Sequence, residues 1–248
     1  MTLGPDRFAA EILAQAGEFT AALAHTDPGA AVPDCPEWTV LDLSAHVGRG
    51  LRWAAAVTAQ RTFVPFSQVP EAEPPADPAP WLRAAAELLV ATVAEHGVDQ
   101  PAWTWSVDQW AGFWLRRMTH ELVVHRADAA AAAGVPFDVA PDLAADGVTE
   151  FFELIPDRLR MTPTPGLQAL AGDGETLHLH ATDGAGDWLV RRTPEGLALT
   201  LTAGPADVTV RGPAAGLMLA LYGRRPAAEI EVLGDAALFE YIRENARF

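Results

Sequence analysis

Glu121 and His125 stand four residues apart in a strongly periodic segment, so on a helix their side chains project from nearly the same face, one turn apart. A single metal ion can bridge that gap, although such pairs are more often ordinary solvated contacts. His46 lies among small and apolar neighbours in Leu43-Ser44-Ala45-His46-Val47-Gly48, which marks it as inward-facing. Taken alone it reads first as a core histidine satisfied by a carbonyl or carboxylate. If the helices carrying His46 and Glu121 face each other, however, the three residues form a two-histidine, one-carboxylate set. Three protein ligands leave a coordination position open, as a catalytic metal requires.

Other chemistry-bearing residues rank behind these. Asp128 shares the face of Glu121 and His125 but lies seven residues from Glu121, about 10 Å along the axis. It is expected to steady a neighbour, such as an arginine, instead of joining the metal. His120 points well away from His125 around the helix. His178 and His180 fall on one face of a predicted strand and read as exposed alternation, with a second metal site as the alternative. Trp103, Trp105, Trp110 and Trp114 are expected to fill the interior or wall a pocket. Cys35 is the only cysteine, so an intramolecular disulfide is impossible, and thiol chemistry must use Cys35 or import a small thiol.

Four amphipathic helices are expected to position the first set: Asp6 to Ala24, Val40 to Arg61, Trp81 to Glu95 and Gln109 to Ala133. Thr39 with Asp42 three residues on makes a capping-box start for the second. Together they suggest an up-and-down four-helix bundle, closed by a further helix from Asp142 to about Leu159. The stretch 62–80 carries six prolines among acidic residues and reads as a surface connection long enough to move over a site. The run Met161-Thr162-Pro163-Thr164-Pro165-Gly166 marks the expected domain boundary, giving domains 1–162 and 163–248. Beyond it, Leu177–His180, Trp188–Val190, Leu197–Leu201, Asp207–Val210 and Glu229–Leu233 read as strands, with helices at Pro213–Tyr222 and Ala236–Ile242. The second domain is therefore α+β, without a dinucleotide-type βαβ repetition or a Gly-rich phosphate loop.

Composition narrows the function. A formal net charge of -16, with no arginine stripe to interrupt it, removes the electrostatic basis for nucleic-acid binding. The start MTLGPDRF lacks the marks of a secretory signal, and no run of about 18 apolar residues occurs, so a cytoplasmic protein with no membrane attachment is expected. A monomer is expected too, since both halves carry apolar mass enough for their own cores.

The string Val32-Pro33-Asp34-Cys35-Pro36-Glu37-Trp38-Thr39-Val40, leading to Asp42-Leu43-Ser44-Ala45-His46-Val47-Gly48, together with His120-Glu121-Leu122-Val123-Val124-His125-Arg126-Ala127-Asp128, resembles the mycothiol-dependent maleylpyruvate isomerase family. So does Gly216-Leu217-Met218-Leu219-Ala220-Leu221-Tyr222-Gly223-Arg224-Arg225-Pro226, followed by Val232-Leu233-Gly234-Asp235. The resemblance implies a DinB-like metal-binding four-helix bundle followed by a small sterol-carrier-like α+β domain. It also implies that His46, Glu121 and His125 bind zinc or another divalent metal, with mycothiol as cosubstrate and a small electrophile as substrate. Arg224 or Arg225 would stand near the metal, in a catalytic and cosubstrate-binding role, pairing with a carboxylate. Isomerisation or S-transfer is the implied chemistry. A metal-dependent hydrolase of the same fold, or a non-catalytic ligand-binding or thiol-sensing module, are the alternatives.

Overall fold

The computed structural model describes residues 3–224 and 230–247. The chain forms two compact units, Met1–Phe137 and Asp138–Phe248.

The first unit runs α1 (Pro5–Leu23), β1 (Ala31–Val32), β2 (Cys35–Thr39), α2 (Val40–Gln60), α3 (Pro78–His96) and α4 (Ala111–Ala133). Local chemistry sets the helix starts. Pro5 and Pro78 occupy first-turn positions where no backbone donor is needed, and Asp77 caps α3 by accepting from Ala79 N. The expected capping box opens α2, with Thr39 Oγ1 accepting from Asp42 N and the Asp42 carboxylate accepting from Thr39 N. Phe8, Ile12, Phe19, Leu43, Leu51, Leu82, Leu89, Trp114 and Leu122 are buried between the helices. The expected four-helix bundle is present, and around it the order is α1, α3, α2, α4, so the consecutive helices α1 and α2 stand across a diagonal. The connections 24–39, 61–77 and 97–110 are long, and leave the choice of neighbour to the apolar faces.

Two features hold α2 in place. Gly48 lets α3 approach closely, since a Cβ there would lie 2.0 Å from Trp81 Cζ3. The proline-rich connection is held against α2 and α3 by side-chain contacts. Arg49 donates to Ala72 O and pairs with Glu73, Arg52 pairs with Glu71 at 3.0 Å, and Trp81 Nε1 donates to Glu71 O.

The second unit holds α5 (Pro141–Met161), α6 (Pro165–Ala169), strands β3 (Thr176–Ala181), β4 (Asp187–Thr193), β5 (Gly196–Thr200) and β6 (Val208–Gly212), α7 (Ala214–Leu221), β7 (Glu231–Gly234) and α8 (Ala236–Asn245). Its sheet has the order β5-β4-β3-β6-β7, antiparallel except for the parallel pair β3 and β6. Leu177, Leu179, Trp188, Val190, Val208 and Val210 form its buried face. Trp188 Nε1 donates to Thr149 Oγ1 of α5, and Arg192 reaches the Ala169 carbonyl at the end of α6 and the Tyr241 ring of α8, which places these helices on that face.

This α+β layer is the expected class, but its boundary differs from the expected 162/163. The helix expected to close the bundle is α5, and it packs on α7 and β5 within the second unit. Its apolar stripe, Leu143, Val148, Phe151, Phe152 and Ile155, demands a partner without specifying which one. Of the proline- and glycine-rich run 161–166, expected to mark the boundary, residues 162–164 join α5 to the short α6. Among the described residues, no helix is long and apolar enough to cross a membrane.

Candidate metal centre

The packing of α2 beside α4 brings the three expected ligands together across the bundle. His46 Nε2 lies 2.9 Å from Glu121 Oε1, and His125 Nε2 lies 3.3 Å from the same oxygen. The ligand atoms all fall within 4.8 Å of one another. Tetrahedral zinc with bonds of roughly 2.0 Å needs ligand-to-ligand edges of about 3.3 Å, so two of the three edges already have the right scale. The donor set is one that zinc and its first-row neighbours accept.

Neighbouring groups aim these ligands. His125 Nδ1 meets Asp128 Oδ2 at 2.8 Å inside the bundle, which turns Nε2 toward Glu121. A carboxylate behind a ligating imidazole fixes its tautomer and raises its basicity. Arg117, one turn before Glu121, donates to Glu121 Oε2 at 3.3 Å and leaves Oε1 to the histidines. The Trp38 ring packs against both imidazoles, with centroids 4.8 Å from His46 and 5.9 Å from His125. His125 is 8% exposed, Glu121 28% and His46 43%, so the cluster is closed toward the core and open on the His46 side.

Electrostatics couple the cluster. Burial alone would raise the Glu121 carboxyl, but hydrogen bonds from His125 and His46 and the charges of His125 and Arg117 hold it well below the ordinary range. Burial would likewise lower His125; the hydrogen bonds to Asp128 and Glu121 and their negative charges outweigh it and raise its pKa to about 9. A divalent ion at this point would take the place of that proton.

His46 is half-exposed, not the core histidine its apolar neighbours suggested. Asp128 supports the site as expected, through His125. His120 is fully buried and packs edge-on against Phe8 of α1. Trp114 is buried and donates from Nε1 to Trp103 O, whereas Trp110 is exposed. Arg224 lies in the second unit, just past α7, where its guanidinium donates to Tyr222 O at 2.8 Å. Arg225 lies outside the described residues. Neither Trp38 nor Arg117 had been singled out. A tryptophan at the fourth residue of a short extended segment and an arginine at i−4 from a glutamate carry little signal until the partner helix is placed.

The architecture is that of a DinB-like helical bundle joined to an α+β unit. The chain belongs to the mycothiol maleylpyruvate isomerase family, a family of enzymes: residues 9–130 match its N-terminal domain and residues 142–240 its C-terminal domain. The second match begins at α5, on the second unit's side of the boundary seen in the structure. A crystal structure of the mycothiol-dependent maleylpyruvate isomerase superposes with a TM-score of 0.59 at 17% identity, covering 94% of this chain and 95% of that one. The structure of a histidine-to-alanine mutant of the mycothiol-dependent maleylpyruvate isomerase gives 0.58 at 16% identity, over 93% and 96%. At such identities the likeness speaks to the fold. No curated protein sequence matches the chain.

Proposed function

We propose that this protein is a mycothiol-dependent isomerase or thiol S-transferase that holds a divalent metal, zinc by donor preference, on His46, Glu121 and His125. The observation that carries this reading is the convergence of the three ligand atoms within 4.8 Å, with Asp128 set behind His125. When bound, the metal would favour thiolate over thiol and so supply a nucleophile near neutral pH.

The chain's own residues set the conditions for that chemistry. Asp128 keeps the His125 proton on Nδ1 and its Nε2 toward the site. Arg117 steadies the far oxygen of Glu121, and Trp38 restricts the ring orientations of both histidines. The half-exposed side at His46 gives a thiol and a small electrophile access. Cys35 then has no required part in the reaction. Arg224 or Arg225 is assigned the carboxylate of the substrate or thiol, on the strength of the family resemblance.

Addition of a thiolate to a conjugated cis double bond leaves a single bond that can rotate, and expulsion of the same thiolate returns the trans isomer. Displacement of a leaving group from carbon retains the sulfur in the product instead. Product analysis with maleylpyruvate-class and alkylating electrophiles, with and without mycothiol, tests the reading. Turnover that requires mycothiol is expected, catalytic in thiol for isomerisation and stoichiometric for transfer. Hydrolysis that proceeds equally without mycothiol would overturn it.

A further inference from the structure

We propose that the second unit carries a metal site of its own, a zinc-class divalent cation site formed by His178, His180 and Asp187 on the face of the sheet opposite its helices. It stands independently of the bundle reading.

The strand pairing builds it. His178 and His180 are two apart on β3 and so project from one face, opposite to Leu177 and Leu179. In the antiparallel pairing of β3 with β4, His180 stands directly across from Asp187, and His178 is its diagonal neighbour. His178 Nε2 and His180 Nδ1 each lie 2.8 Å from the single oxygen Asp187 Oδ1. All three ligand atoms fall within 4.8 Å of one another. The turn that joins the strands fixes this register: Ala181 N donates to Gly186 O, and Gly184 takes a left-handed φ of 80° within it.

The chemistry of the three donors selects the ion. Two imidazole nitrogens and one carboxylate oxygen suit zinc, cobalt, nickel and copper, whereas magnesium and calcium favour all-oxygen coordination. Binding would widen the two 2.8 Å separations toward the roughly 3.3 Å edges of a tetrahedral ion, a movement of about half an ångström in side-chain torsions alone. His178 is 12% exposed, while His180 at 39% and Asp187 at 30% leave a path for the ion and open coordination positions. Arg211 stands beside His180 on β6, and its guanidinium is drawn to Glu231 on β7. A cation here would tie β3 to β4 across the pair that the turn already aligns.

The test uses the full-length chain, stripped of metal with a chelator and dialysed against Zn2+ alone. Two zinc ions per chain are expected for the wild type, one for His46→Ala, and one each for His180→Ala and Asp187→Asn, with circular dichroism reporting that each variant is folded. In the His46→Ala background, the imidazole NMR signals of His178 and His180 should shift on Zn2+ addition, which needs no change at the second site itself. Zinc content unchanged by His180→Ala and Asp187→Asn in folded protein, or imidazole signals indifferent to Zn2+, would overturn the proposal.

Discussion

Replacing Asp128 by asparagine separates the two effects of its carboxylate on the bundle site. Asp128 is fully buried and meets His125 Nδ1 at 2.8 Å, so Asp128→Asn keeps the volume and removes the charge behind the ring. Loss of such a partner lowers metal affinity by about 10- to 100-fold, or roughly 1.4 to 2.7 kcal/mol. A second effect opposes the first. Metal must displace a proton from His125, whose pKa is raised to about 9, so near pH 7 that competition weakens binding by about 100-fold. Without the Asp128 charge the His125 pKa falls, and the competition shrinks with it. The deficit of the variant is therefore small near pH 7 and grows toward the full 10- to 100-fold as pH approaches about 9. A competition titration against a chromophoric chelator, repeated across that range, reads both effects. A deficit that does not change with pH, or an affinity within about threefold of wild type at the alkaline end, would refute the reasoning.

Three further outcomes follow from the same geometry. Gly48→Ala places a Cβ 2.0 Å from Trp81 Cζ3 and should cost about 1 to 3 kcal/mol in a thermal or denaturant melt, so an unchanged midpoint would contradict the close approach of α2 and α3. In metal-free protein, the raised pKa of His125 contributes stability that is fully present below its ordinary 6.5 and is lost as pH rises through about 9, on the order of 3 kcal/mol. Glu121, whose pKa is lowered, works in the opposite window, its contribution being lost as pH falls below the ordinary 4.5. Denaturant melts of the chelated protein should therefore weaken between about pH 6.5 and 10, and equal stability at both ends would count against the His125 network. Arg224→Ala and Arg225→Ala should leave metal content unchanged, and the one that binds the carboxylate should raise KM about 10- to 100-fold. Unchanged KM in both would remove the arginines from the site.

Much of this was legible in the residues. The helices of the bundle announce themselves by apolar spacing, and the Thr39 and Asp42 capping box is visible as a pattern because it is local. The Glu121 and His125 pair is likewise fixed by helical geometry alone. What the sequence hid depends on which surfaces meet. The stripe of α5 reads the same against a bundle as against a sheet, which is why the boundary moved to 137/138. The β1 and β2 hairpin was hidden by its shortness and by Pro36. Asp187 gave no signal because its role exists only once β3 and β4 are paired in register. Trp38 is similar: its position against two imidazoles follows from the hairpin delivering β2 to the start of α2.

The most direct test of the bundle site is elemental analysis of natively purified protein beside His46→Ala and His125→Ala, each then titrated with mycothiol. The expected result is one metal ion per chain lost from each variant relative to wild type, together with mycothiol binding, while circular dichroism stays unchanged. A wild type that folds and binds mycothiol with no metal lost on either substitution would contradict it.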